Sequence, residues 1–398
     1  MLPMSNCNQP PKLKIGLFID TFFPMVDGVV MVVDNYARRM SQIADVTVFT
    51  TKPRTKFDDS ILPYKVVRCP ILRTFGLDYD LPLPNLSHKF KKTVFNSNLD
   101  IVHIHSPFGI GKIGIKYAKK NNIPVVGTMH SKFKRDFLKE THNCKWLTNL
   151  LLKSVVRAYN KCDECWAVNQ GVANIYYHEY GTTLLPIVRN NATDLKLLEG
   201  TSFLPQLRKK YNITDDEKVF LFVGRLSVLK NIEFILQSLK IVKEKGVKFK
   251  MLLVGTGPDE QYLKNITNKL NLDNNIIFLG KITDRETIAR IFALSDLFLF
   301  PSTHDCSSLV QIEAASQKTP TLFLAESTTA DSVTHNKNGY LAPNSTEEYA
   351  NEIIRIFSDP KQYNSVCEGA YNDLYISWDD AVTLALKDYE RLINNNQK

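Results

Sequence analysis

Two acids eight positions apart, Asp305 and Glu313, flank the serine-rich turn of PSTHDCSSLVQIEAAS (301–316). Asp305 belongs to a loop, because the apolar run SDLFLF before it reads as a strand that Pro301 ends. Glu313 lies two turns into SSLVQIEAASQK, which has helical composition and can be capped by Ser307 or Ser308. A helix N-terminus with unpaired backbone N–H groups would then lie beside Asp305, an arrangement suited to an anion. A turn aspartate and a glutamate on a solvated helix face would leave the same letters, so the pair has to be weighed with the rest of the chain.

Other segments offer related chemistry. GRLSVLKN begins at the C-terminal end of a strand, so Arg225 and Lys230 rise from a loop at the mouth of a sheet. A planar guanidinium fork and a compact ammonium make a diphosphate clamp; two exposed loop cations are the plainer alternative. VGTGPDE puts Gly255 and Gly257 at the next strand end, where backbone can approach a ligand closely. It is too short for the dinucleotide fingerprint, so NAD is not favoured. In the first half, FFPMVDGVV places Asp27 and Gly28 after the first strand. GTMHSKFKRDF offers His130, Ser131, Lys132, Lys134, Arg135 and Asp136, and IHSPFGIG adds His105, Ser106 and Gly109. CDEC (162–165) has no second cysteine pair to complete a zinc site, and the seven cysteines read as reduced thiols.

The elements that must position these residues repeat one grammar twice. KLKIGLFID, DVTVFT, YKVVRCP, DIVHIHS, IPVVGTMH and ECWAVN are short strands separated by helical patterns. After a hinge-like stretch near NNATDLKLLEGTSFLP, KVFLFVGRLS, FKMLLVG, IIFLGKIT, LFLFPS and TPTLFLA follow the same plan. The helix NIEFILQSLKIVKEKG is stopped by Gly246. Val- and Ile-rich strands flanked by helices mean parallel sheets covered on both faces. The expectation is α/β with two Rossmann-like doubly wound domains, 1–195 and 196–377, facing across a cleft. A C-terminal helix, 378–398, packs back on the first domain. Ligands should meet strand C-termini. The 398 residues suffice for two such cores.

Composition is that of a globular protein, 44% hydrophobic and 23% charged, and no window approaches a membrane span. The start lacks a signal-peptide core, which points to a cytoplasmic protein. The net charge of +9 is uneven. Residues 1–195 hold 26 Lys+Arg against 15 Asp+Glu, a balance of +11; residues 196–398 hold 24 against 26, a balance of −2. A basic first half suggests a negatively charged partner: an anionic membrane surface, nucleic acid or an acidic polymer.

GRLSVLKN, LLVGTGPDE, IIFLGKITDRE, LFLFPST and the acid–seven–acid segment, in this order over 218–318, resemble the retaining glycosyltransferases of family 4, which have the GT-B fold. The resemblance, looser over the rest of the chain, extends to members that glycosylate diacylglycerol. It implies that Arg225 and Lys230 bind the diphosphate of a nucleotide sugar, with Gly28, Gly255, Gly257, Ser307, Ser308 and Leu309 around the donor. Glu313 would hold the ribose hydroxyls. Asp305 and His130 would face the donor sugar, these two and Glu313 forming the catalytic set. Asp27, His105, Ser106, Ser131, Lys132 and Arg135 would line the acceptor side. VRNNATD is similar to the family's interdomain segment, with Asn191 and Asp194 matching. The chain departs from the family at Asp305, Cys306 and Ser308, where Glu, Gly and Pro are usual. An Asp one methylene shorter bears on donor specificity.

The implied activity is retaining, metal-independent transfer of a hexose from a UDP-linked or similar donor, with no cofactor beyond that substrate. NLSHKFKKTVF and the stretch from His130 to Lys161 mix Lys and Arg with Phe, Leu and Trp146, as segments lying on anionic bilayers do. The expected acceptor is therefore a membrane lipid such as diacylglycerol or a glycolipid, reached from the inner face of the cell membrane. The alternatives are a soluble or polymeric acceptor, a UDP-sugar epimerase, and a nucleic-acid-binding protein.

Overall fold

Uninterrupted runs of Val, Ile, Leu and Phe fold into strands that are buried on both faces at the centre of each sheet. A computed structural model of the chain describes residues 12–73 and 80–396. They divide into two compact units. Among the described residues, the first takes everything up to Val168, then Val172–Arg189 and the stretch from Asp379; the second takes Asn169–Gly171 and Asn190–Trp378. The division differs slightly from a break at residue 195. Asn169 counts with the second unit because its side-chain amide donates to the carbonyl oxygens of Cys306 and Thr328, at 2.6 and 3.1 Å.

The first unit contains β1 (Lys14–Phe18), β2 (Asp45–Thr51), β3 (Lys65–Cys69), β4 (Ile71–Leu72), β5 (Leu81–Pro82), β6 (Ile101–Ile104), β7 (Val125–Met129), β8 (Glu164–Ala167) and β9 (Ile187–Val188). Seven of these form a sheet in the order β3-β2-β1-β6-β7-β8-β9, parallel throughout, while β4 and β5 pair antiparallel. Its helices are α1 (Gly28–Met40), α2 (His88–Phe95), α3 (Gly109–Asn121), α4 (Phe133–Glu140) and α5 (Lys145–Tyr159), followed by the short α6 (Gln170–Asn174), whose first two residues count with the second unit.

The second unit holds β10 (Lys218–Val223), β11 (Phe249–Val254), β12 (Ile276–Gly280), β13 (Leu297–Phe300), β14 (Thr321–Leu324) and β15 (Tyr340–Ala342). They lie in one parallel sheet, β12-β11-β10-β13-β14-β15. Helices α7 (Leu204–Lys210), α8 (Ile232–Glu244), α9 (Glu260–Lys269), α10 (Arg285–Leu294), α11 (Leu309–Ser316), α12 (Thr346–Ile356) and α13 (Pro360–Leu374) accompany it. Each sheet starts in the middle, runs to one edge, then jumps back to continue outward on the other side. That is doubly wound topology, and it opens a crevice where the order reverses: between β1 and β6, and between β10 and β13. Phe222, Phe298, Phe300 and Phe323 fill the second core, with Phe298 and Phe300 stacked at 5.6 Å. Gly246, at φ 81°, follows α8 in the left-handed conformation that stops a helix.

The tail is α14 (Trp378–Asn396), which packs on the first unit as expected. Tyr389 stacks on Trp166 at 5.8 Å and its hydroxyl meets His103 at 2.6 Å. Arg391 donates to Glu164 at 2.6 Å, and Arg189 to Asp388 at 2.8 Å, so charges on α14 answer charges on and beside β8 and β9. The weakest elements in sequence, β4, β5, β9 and β15, are two or three residues long and carry no periodic signal.

Candidate functional site

At the switch point of the second sheet, the loops leaving β10 and β13 are tied together. Asn231, held at φ 58°, donates from its side chain to Pro301 O at 3.2 Å. Lys230 Nζ donates to Asp305 Oδ1 at 2.6 Å, and the two side chains are only 24% and 21% exposed. The second oxygen of Asp305 is buried with no hydrogen-bond partner among the described residues. Arg225 is exposed and, unlike Lys230, meets no carboxylate among the described residues. Asp259 steadies the same loop by accepting from Val228 N at 2.8 Å. Among the described residues, the clamp expected from GRLSVLKN therefore consists of one cation that meets no carboxylate and one already paired with the first acid.

The glycines of VGTGPDE have a reason within the unit. A Cβ on Gly255, whose φ is +135°, would lie 1.9 Å from Gly224 O; one on Gly257 would lie 2.1 Å from Leu226 O. The close approach here is between the β10 and β11 loops, which exchange bonds from Gly224 N to Val254 O and from Leu226 N to Thr256 O. What was expected to be room for a ligand is room for a neighbouring loop, and no larger residue fits.

Ser308 is the N-cap of α11, its Oγ accepting from Gln311 N at 3.1 Å, and Leu309 opens the helix. Ser307 accepts from Asn191 at 3.2 Å, which attaches the 190–195 segment to this turn. Glu313, half-buried, receives Arg285 Nη2 at 2.8 Å. The same guanidinium also grips Asp194 through both its Nε and Nη2. Burial pushes the Glu313 carboxyl above its ordinary value, with Arg285 pulling the other way. In the sequence Arg285 is one letter of IIFLGKITDRE with no signal of its own; its weight comes from carboxylates 28 and 91 positions away.

In the first unit, several expected acceptor-side residues are used internally. Asp27 is the N-cap of α1, accepting from Val30 N at 2.8 Å, and Gly28 opens that helix. Ser106 accepts from Asp20 N at 2.8 Å and donates to the Asp20 carboxylate. Asp20 in turn accepts from Ile110 N at 2.9 Å, capping α3 from the end of β1. No motif marks Asp20 in the sequence, and the one signal it carries is its place as the last residue of IGLFID, at the switch point. His105 is corrected from an acceptor-lining residue to a core one: it is 3% exposed and its Nδ1 lies 3.1 Å from His130 Nε2. Ser131 lends its carbonyl to Tyr176 at 2.9 Å, while Lys134, Arg135 and Asp136 are exposed and Lys132 half-buried. Cys162 and Cys165 are buried free thiols, and their mutual contact with burial pushes Cys162 up, away from thiolate chemistry.

His103, His105 and His130 form a column of rings, with centroids 4.0 Å apart for the first pair and 5.3 Å for the second. Burial lowers all three, His130 to about 3. A group whose folded pKa lies below its unfolded value near 6.5 takes up its proton on unfolding, so stability falls as pH drops below about 6.5. Each imidazole contributes up to about 1.4 kcal/mol per pH unit in that window. Urea titrations should therefore show a midpoint that declines steadily as pH falls from 6.5 towards 4.5. In His130→Gln that slope should lessen by one histidine's share; an unchanged slope would assign the acid sensitivity elsewhere.

This fold and these loop chemistries define a GT-B glycosyltransferase. The chain matches the model for glycosyltransferase family 4 over residues 26–190 and that for glycosyl transferases group 1 over residues 205–373, and it belongs to that family. Alpha-monoglucosyldiacylglycerol synthases of Streptococcus pneumoniae and Acholeplasma laidlawii are 26% and 24% identical to it, over 78% and 90% of this chain and 70% and 92% of theirs. N-acetyl-alpha-D-glucosaminyl L-malate synthase of Bacillus anthracis is 25% identical over 92% of each chain. Among solved structures, Anabaena HepE in complex with UDP and glucose shares the fold, with a TM-score of 0.71 at 20% identity, over 96% of this chain and 99% of that one. The protein is a hexosyltransferase that uses nucleotide sugars.

Proposed function

We propose that the enzyme moves a hexose from a UDP-sugar to a hydroxyl of a membrane lipid such as diacylglycerol or a glycolipid, with retention and without a metal. The first unit would receive the acceptor and the second the donor. The observation that carries the lipid acceptor is the outer face of α4 and α5. Trp146 is 73% exposed and Leu150 47%, and Lys153 and Arg157 continue the same stripe at helical spacing. Exposed Lys134, Arg135 and Lys139 on α4 add charge, and α4 buries none of its residues. Aromatic and aliphatic groups set among cations suit an anionic bilayer surface, and among the described residues no helix is long and apolar enough to cross one. Two relatives named for monoglucosyldiacylglycerol support the same acceptor class.

As the bond from the anomeric carbon to the diphosphate stretches, negative charge grows on the leaving phosphate, and Arg225 and Lys230 would oppose it. Donor binding would divide Lys230 between phosphate and Asp305. The unpartnered Asp305 oxygen would accept from a sugar hydroxyl, and Glu313, aimed by Arg285, would accept from the ribose.

A panel of UDP- and GDP-sugars offered with diacylglycerol, glycolipid, dicarboxylic-acid and oligosaccharide acceptors tests the assignment. Product should appear with lipid; full turnover with a water-soluble acceptor and none with lipid would replace it. The Bacillus anthracis relative, named for an L-malate product, makes the soluble acceptor the second reading. Trp146→Ala should weaken sedimentation with phosphatidylglycerol vesicles about tenfold. Equal binding of both proteins to anionic and neutral vesicles would remove the membrane from the proposal.

A further inference from the structure

His105 and His130 meet nitrogen to nitrogen, so one of the two neutral rings donates and the other accepts across 3.1 Å. The far edge of His105 decides which. Its Nε2 is buried and has no hydrogen-bond partner among the described residues. The ring is flanked instead by His103 and by the edge-on ring of Tyr36, centroid to centroid 6.1 Å. If His130 donated, His105 would accept at Nδ1 and carry its own proton on that orphaned Nε2. If His105 donates, the orphan is a bare lone pair. Both arrangements forgo solvation, but a buried N–H without an acceptor is the rarer in folded proteins.

We infer that His105 donates from Nδ1 to His130 Nε2, and that His105 is thereby a positioning residue that fixes His130 as the tautomer with its proton on Nδ1. The inference rests on the contact with the donor sugar that the family resemblance implies for His130, and it says what that contact would be: a neutral N–H offered to a hydroxyl oxygen. His130 is half-buried at the end of β7, with its Nε2 edge committed to His105, so Nδ1 is the edge left for substrate. The lowered pKa of His130 agrees, since a ring that stays neutral serves a hydroxyl rather than a phosphate.

Side-chain nitrogen–proton correlation spectra of the histidine-labelled full-length protein at neutral pH test the tautomers directly. Both rings should carry the proton on Nδ1; a proton on Nε2 of His130 overturns the inference. Kinetics then test the positioning. An asparagine amide can stand where an imidazole Nδ1 stands, and a glutamine amide where Nε2 stands. His105→Asn should keep kcat within about threefold of wild type, whereas His105→Gln should lose about 10²-fold in kcat with little change in KM for the sugar donor. Equal rates in these two variants, at equal urea midpoints, overturn the positioning role. Near wild-type turnover in His130→Ala would instead sink the sugar contact beneath it, and the positioning role with it, while the spectra still judge the tautomers.

Discussion

Arg225→Ala should lower kcat/KM for the nucleotide sugar by about 10²–10³-fold, the usual effect of removing one preorganised group that faces developing charge. It should do so without loss of stability, because Arg225 is exposed and meets no carboxylate among the described residues. Lys230→Ala should match it in rate but not in stability. Asp305 would be left with Oδ1 stripped of its 2.6 Å partner and Oδ2 already unpartnered, in a site where both side chains are less than a quarter exposed. That carboxylate should cost about 2 kcal/mol, read as a lowered urea midpoint at constant m. Adding Asp305→Asn to Lys230→Ala should restore the midpoint and leave the rate low. If Arg225→Ala turns over normally while Lys230→Ala does not, the diphosphate is held by something other than this loop pair.

The second large effect belongs to Glu313. Glu313→Ala should lose about 10²-fold in kcat/KM, about the worth of two hydrogen bonds to a charged acceptor. Arg285→Ala should act through the same carboxylate, raising donor KM about tenfold, because Glu313 Oε1 and Asp194 both lose their common partner. With Arg285 45% exposed, the stability cost is discounted to about 2 kcal/mol. Its pH dependence has a definite sign. Burial already holds Glu313 above the usual glutamate value, and removing Arg285 takes away the group that lowers it. A carboxyl with a raised folded pKa binds its proton more tightly when folded, so the variant's deficit should be small in acid and grow to its full size as pH rises past that pKa. A deficit that is constant from pH 4 to 8, or that shrinks as pH rises, would show that Glu313 is not the group left uncompensated.

Much of this was legible in the letters. Strand–loop–helix units, the stop at Gly246, a serine cap before Leu309 and the long tail helix all follow from bonds made within a few residues, so a local pattern suffices to predict them. The ordered motifs of residues 218–318 likewise identify the family, since each lies at a strand end and such ends collect at one edge of a parallel sheet.

What needed the tertiary structure was the identity of partners. VGTGPDE marks Gly255 as a place of close backbone approach, read as an approach to a ligand, but only the adjacency of β10 and β11 shows that Gly224 O is the atom a side chain would meet. Asp305 and Glu313 stood out as acids, yet Lys230, 75 positions from the first, and Arg285, 28 from the second, became their counter-ions through the order β10-β13 and the packing of α10 near α11. His105 looked like a residue lining a site until the pairing of β6 with β7 set it against His130 and buried it. Periodicity and capping are short-range properties of the backbone. Charge pairing and burial depend on which distant strands lie side by side, and that is decided when the whole sheet forms.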